Sequence, residues 1–245
     1  MKSFFCSIRM VLIPAGCLLA VAMLLSACTK FDDDNNPDSP VSGLMSFNLA
    51  PDKAAIAISI GGNNLTNAPL SYTNYSGNYQ LIYPGNRPVE SYDYLKDSSI
   101  SSVDYNFAAD RYYSLFVVGA NGTYQNVITN DNFDSLTSTT GKAFIRYINA
   151  IPDSTRPAVI ITANGTNVIS DNASSFTTIS DFKEVNAGDL VVKVNNSTTI
   201  DATRTIAVQQ GNVYTILLVG QPGETDTTKA VQVKYILNGS VSAKQ

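Results

Sequence analysis

The 245-residue chain has no histidine, no tryptophan and only three cysteines. Histidine is the side chain that most readily relays protons or binds metal near neutral pH, so its absence excludes Ser-His-Asp triads, Cys-His dyads and imidazole metal sites. The cysteines, Cys6, Cys17 and Cys28, all sit near the N-terminus without the paired spacing of a zinc site. Charge is sparse as well: 16 Lys+Arg against 20 Asp+Glu leave −4 at pH 7, and no stripe of basic residues. Affinity for nucleic acid comes largely from neutralised phosphates, so nucleic acid is excluded as a partner.

Catalytic signatures that do without histidine are also missing. No Gly-x-Ser-x-Gly elbow occurs, and the acidic residues Asp52, Asp97, Asp110, Asp153, Asp171, Asp181 and Asp226 fall at apparent turns. There aspartate is favoured for local backbone hydrogen bonds rather than for paired-carboxylate hydrolysis. Asn130-Asp131-Asn132-Phe133-Asp134 resembles a calcium loop only loosely, lacking its central Gly and terminal Glu, and reads as the polar edge of a linker. The sequence therefore predicts no enzyme, no metal centre and no cofactor.

What is present begins with a targeting segment. Lys2 and Arg9 precede an apolar run from Met10 to Leu25, closed by Leu25-Ser26-Ala27-Cys28. The run is short for a membrane span and is followed by Lys30-Phe31-Asp32-Asp33-Asp34 rather than a basic stop-transfer flank, so it reads as a signal peptide over residues 1–27. Leu25 to Cys28 resembles a bacterial lipobox, which implies cleavage before Cys28 and lipidation of that thiol. The mature chain would then keep no free cysteine and form no disulfide. Residues 28–40 are polar, acidic and Pro-ended, a tether that cannot bury enough apolar surface to fold. The acidic triplet beside Cys28 resembles the export signal of Bacteroidota lipoproteins, which implies an outer-membrane, surface-facing anchor. A plain signal peptide with an incidental cysteine is the alternative.

Beyond Pro40 the chain repeats itself at an offset of about 101 residues. Tyr113-Ser114-Leu115-Phe116-Val117-Val118-Gly119 aligns with Tyr214-Thr215-Ile216-Leu217-Leu218-Val219-Gly220, and Pro51-Asp52 aligns with Pro152-Asp153. Each Pro-Asp follows one strand-like run (Leu44 to Leu49; Phe144 to Asn149) and precedes another (Ala55 to Ile60; Val159 to Thr162). Short β-branched runs such as Asp189 to Val194, Thr205 to Val208 and Val231 to Leu237 show no helical period. Asn121-Gly122, Asn164-Gly165 and Asn238-Gly239 supply the positive φ of tight hairpins. The expectation is an all-β protein of two tandem antiparallel β-sandwich domains, 41–135 and 141–245, each unfolding cooperatively by itself. Tyr214, three residues after Gly211, has the spacing of a tyrosine corner, and Tyr113 is its counterpart in copy one.

Three blocks, Ala143 to Asp153, Val159 to Gly165 and Val213 to Gly220, with Tyr83-Pro84-Gly85-Asn86-Arg87-Pro88-Val89-Glu90 in copy one, resemble the 4397 family of domains of unknown function. The resemblance implies an immunoglobulin-like β architecture, secreted or lipid-anchored, and implies no activity.

Ten of the 13 tyrosines lie between Tyr72 and Tyr124. Strand alternation places Tyr92 and Tyr94 on one face, where they are candidate ligand contacts, because tyrosine rings anchor protein partners and stack on sugars. Tyrosine is equally a good strand former that half-buries at sheet edges. Two functions follow from this reading. One is a non-catalytic adhesive or structural module, held to the membrane through Cys28 and contacting an extracellular protein. The other is a glycan-binding accessory of an outer-membrane uptake system, which the lack of tryptophan disfavours.

Overall fold

A computed structural model describes residues 40–241 apart from 67 and 138. The signal segment, Cys28 and the acidic tether lie outside the described residues.

Copy one contributes nine strands: β1 (Ser42–Asn48), β2 (Ala55–Ile60), β3 (Asn63–Asn64), β4 (Leu70–Ser71), β5 (Gln80–Ile82), β6 (Gly85–Asp93), β7 (Ser98–Phe107), β8 (Tyr112–Ala120) and β9 (Thr123–Asn130). A short 3-10 turn, Phe133–Ser135, leads into copy two. That copy contains β10 (Lys142–Asn149), β11 (Ala158–Ala163), β12 (Thr166–Asp171), β13 (Lys183–Asn186), β14 (Gly188–Asn195), β15 (Asp201–Val208), β16 (Asn212–Val219) and β17 (Gln232–Ser240). The all-β fold expected from the sequence is what the chain adopts.

Each copy folds as two sheets. In copy one an outer sheet β3-β2-β6-β7, with β4 also on β2, faces an inner sheet β5-β1-β8-β9. In copy two the outer sheet β12-β11-β14-β15 faces the inner sheet β13-β10-β16-β17. Leu44, Tyr113, Leu115 and Val117 point inward to meet Ile56, Ile58 and Val89 of the outer sheet. Ile145, Tyr147, Tyr214 and Ile216 likewise meet Val159, Ile161, Leu190 and Val192. The alternate residues of the inner strands do not face water. Met45, Phe47, Phe116 and Val118 of copy one pack against Ile148, Leu217, Val219 and Ile236 of copy two, forming a third apolar layer between the copies. The described chain is thus a stack of four sheets with three apolar layers.

This stacking explains the composition of the strands. Outer strands alternate: β14 buries Leu190, Val192 and Val194 and exposes the residues between. Inner strands β1, β8, β10 and β16 are buried on both faces over almost their full length, so they carry apolar residues on both faces instead of alternating, most continuously in Leu115 to Val118 and Ile216 to Val219. Each such side chain contributes on the order of 1.5–3 kcal/mol relative to exposure.

Pairing is antiparallel except at the centre of each inner sheet, where β1 runs parallel to β8 and β10 parallel to β16. No hairpin joins either pair; the chain reaches β8 and β16 only after passing through the outer sheet, a long crossover that leaves direction free. Both tyrosine corners form. The Tyr113 hydroxyl accepts the Ala108 N–H at 2.9 Å, and the Tyr214 hydroxyl accepts the Gln209 N–H at 3.1 Å.

Asn121-Gly122 and Asn164-Gly165 turn their hairpins with φ of 55° and 86°, and 49° and 76°. Asn238-Gly239 does not form the hairpin expected of it. It lies inside β17, beside a register shift opposite Val213 and Tyr214. The Asn238 side chain is used instead as a buried hydrogen-bonding group, accepting from the Thr215 hydroxyl at 2.6 Å.

Candidate functional site

Two places concentrate polar or accessible chemistry. The first is buried between the inner sheets. Arg146, 2% exposed, projects from β10 into the layer shared by the copies, where its Nη2 lies 2.6 Å from Oδ1 of Asp131. This is a close ion pair without hydrogen-bond alignment at Oδ1. Arg146 also donates from Nε to the Thr215 hydroxyl at 3.0 Å and from Nη2 to the Ser114 hydroxyl at 2.9 Å, and its guanidinium stacks 4.4 Å from the Phe182 ring. The other oxygen of Asp131 accepts from Tyr79 at 2.5 Å and Ser114 at 2.9 Å. Asn238 donates to the Tyr79 hydroxyl at 3.3 Å, closing a network that draws on both copies. Burial pushes the Asp131 carboxyl above its usual range, against the pull of Arg146 and the hydroxyls. Burial also pushes the Tyr79 phenol up. The network ties the copies together, and a polar pocket of about 280 Å³, lined by Asp131 and Arg146 among others, opens beside it.

The second place is the flank of copy one where β3 and β5, the edge strands of its two sheets, come together. Between them opens a groove of about 390 Å³. Ile60, Leu65 and Ile82 form its apolar wall, and Arg87 is the charged residue among those that line it. The Arg87 side chain is held by hydrogen bonds of 3.3 and 3.2 Å to the Pro84 carbonyl. Above the groove stand Leu81 and Tyr83, 75% and 65% exposed. The side-chain oxygen of Gln80 is buried there without a hydrogen-bond partner.

The tyrosines singled out by the sequence are spread over several roles. Tyr75, Tyr79, Tyr105 and Tyr113 pack against the apolar layers. Tyr92 is half-buried in β6 and donates to Glu90 at 2.9 Å, while Tyr94 lies on the turn after that strand and is 55% exposed. Beside them, Lys53 and Asp93 form a largely buried ion pair at 2.8 Å. Hydrogen bonding from Lys53 holds the Asp93 carboxyl below its ordinary range. A carboxyl lowered in this way stabilises the fold above its unfolded pKa and loses that contribution as pH falls through the folded value. Thermal unfolding followed from pH 7 down should therefore show a drop in stability below about pH 4 that is smaller in Lys53→Met. Equal acid limbs for the two proteins would remove this pair as the cause.

The model of the family described as Domain of unknown function (DUF4397) matches residues 42–156 and 143–236. The chain belongs to this family. As a DUF4397 protein it has no match among curated proteins. Solved structures similar to it include the tip fimbrial protein Mfa3 of Porphyromonas gingivalis, at 8% identity and TM-score 0.25, covering 81% of this chain and 99% of that one. A candidate cell adhesion protein of Bacteroides eggerthii shows 11% identity and TM-score 0.25, covering 82% and 96%. Another from Bacteroides uniformis shows 14% and 0.24, covering 82% and 98%. Scores this low do not establish a shared arrangement of strands, so the architecture of this DUF4397 chain rests on its own pairings.

Sequence reasoning missed Asp131 and Arg146. Asp131 sits in Asn130-Asp131-Asn132 and was expected at a linker edge, yet it is 1% exposed and held against Arg146 of copy two. Arg146 carried the usable signal. It interrupts the apolar run from Ala143 to Ile148 at the repeat position where copy one has Met45, and a charge inside such a run needs a buried partner.

Proposed function

We propose that the chain is a non-catalytic lipoprotein of the outer membrane, displayed at the cell surface through lipidated Cys28, and that it acts as an adhesive or structural binding module. One observation carries the binding role: the copy-one flank presents exposed Leu81 and Tyr83 over an apolar groove, on a scaffold whose other large apolar side chains are mostly buried. Exposed apolar side chains gathered at one edge mark interaction sites in soluble domains. The anchoring role is supported by the signal-like segment and by a mature chain whose one cysteine stands at the head of an acidic tether. The two repeat domains, 41–135 and 141–245, joined through the apolar layer between their inner sheets, make up that module. The glycan reading is weaker, since of its two tyrosines Tyr92 is engaged by Glu90 and only Tyr94 leaves its ring accessible.

Cys28→Ala should release the protein from the membrane fraction into the soluble fraction, and retention of that variant would overturn lipid anchoring. Protease added to intact cells should remove the wild-type protein, whereas complete protection would assign it to the inner leaflet.

A further inference from the structure

The two copies differ at one flank, where copy one leaves a groove between the edges of its two sheets. In copy two the flank is closed by β12, six residues long, whose Val168 and Ile169 pack onto the core. The counterpart in copy one is β3, two exposed asparagines, and the groove lies beside it. Copy one covers the same edge of β2 in two short pieces instead, β3 followed by Leu65 and then β4 with buried Leu70, and the groove lies between β3 and β5.

The edge next to the groove can pair with a strand. Gly43 of β1 donates its N–H to Arg111, on the β8 side, so Ser42 and Leu44 are the β1 residues that point their backbone groups toward β5. Leu81, directly opposite Gly43, then directs its own N–H and C=O away from β1, out of the sheet. In copy two the same register position, opposite Phe144, is occupied by Glu184, which is hydrogen-bonded to Thr139 and lies 3.8 Å from Lys142. Charged side chains on an edge strand deter strand addition, and copy one has Leu81 and Gln80 where copy two has Glu184 and Lys183.

Taking the binding-module reading as its basis, we infer that the β5 edge of copy one binds an extended peptide segment of a partner protein as an added strand, with aliphatic side chains at alternate positions and an acidic residue nearby. Backbone pairing to Leu81 supplies affinity, and the aliphatic side chains enter the groove against Ile60, Leu65 and Ile82. An incoming N–H or hydroxyl satisfies the orphaned oxygen of Gln80. Arg87, the charged residue of the lining, selects the acidic residue.

The test uses residues 29–245 and a fluorescein-labelled peptide, Ser-Val-Thr-Val-Thr-Val-Asp, with Ser-Lys-Thr-Lys-Thr-Lys-Asp as its control, read by fluorescence anisotropy. The first peptide should bind saturably and the control should not. Leu81→Lys should weaken binding about tenfold or more, while Glu184→Ala, at the other edge, should leave it unchanged. Because Leu81 is exposed, its variant should melt as the wild type does. No saturation with the aliphatic peptide, equal binding by Leu81→Lys, or loss of a wild-type dimer in Leu81→Lys would each overturn the proposal, the last by giving the edge to a second copy of this chain. The protease assay on intact cells is independent of the groove. Surface display without peptide binding would sink this inference alone.

Discussion

Arg146→Ala is expected to lower the folding stability by about 3–5 kcal/mol. The substitution removes a guanidinium that is 2% exposed and leaves Asp131 buried beside the hydroxyls of Tyr79 and Ser114, its counter-charge gone. Both members of the pair are almost fully buried, so removing either charge leaves the other uncompensated away from water. Two consequences separate this account from a simple packing loss. Arg146→Met combined with Asp131→Leu should recover most of the stability or exceed the wild type, since apolar replacement of a buried pair is often neutral or stabilising. Copy one already carries Met45 at the equivalent position without disturbance. Asp131→Leu alone, which strands Arg146, should be as damaging as Arg146→Ala. Urea denaturation of the four proteins checks this, and additive single effects would show that the two residues do not act as a pair.

Phe116→Ala should cost about 3–5 kcal/mol, and it should do so for both copies at once. Phe116 is fully buried in the layer between the inner sheets, with its ring 4.7 Å from that of Phe47. The decisive observation is the shape of the transition. With the layer intact, probes in copy one and copy two should report a single coincident unfolding. In Phe116→Ala the two midpoints should fall together. A loss confined to copy one would mean the layer carries little coupling.

The same layer revises an expectation drawn from the repeat. Separate 41–135 and 141–245 fragments would each expose one face of an inner sheet, Met45, Phe47, Phe116 and Val118 in the first and Ile148, Leu217, Val219 and Ile236 in the second. An exposed apolar face of that extent favours association or loose folding. The fragments should therefore bind each other when mixed, and monomeric, cooperative melting of both would contradict this.

Much of the architecture was legible because it depends on local pattern. The Pro-Asp repeats, the Asn-Gly turns and the tyrosines before strong strands each have a short-range physical cause, and all but Asn238-Gly239 appear where the sequence puts them. The runs from Tyr113 and Tyr214 also contained a message about layers. A strand with one wet face alternates, so a run of seven apolar or neutral residues meant both faces were covered. What stayed hidden depends on contacts between distant residues. Asp131 is buried only because copy two covers it, and nothing in its neighbourhood encodes that cover. The groove was invisible for a similar reason: it arises from the shortness of β3 relative to β12, a difference of tertiary closure between two copies that share their strand order.

The position of β1 has a mechanical consequence. The N-terminal tether enters the fold at β1, and β5, the edge offered to a partner, is hydrogen-bonded directly to β1. If Cys28 anchors the chain and β5 captures a strand as proposed, tension between the two would cross the β1–β5 pair. β1 is clamped on its other side by six parallel register positions along β8 and is buried over its whole length. Force along β1 would load those bonds together in shear rather than opening them one by one.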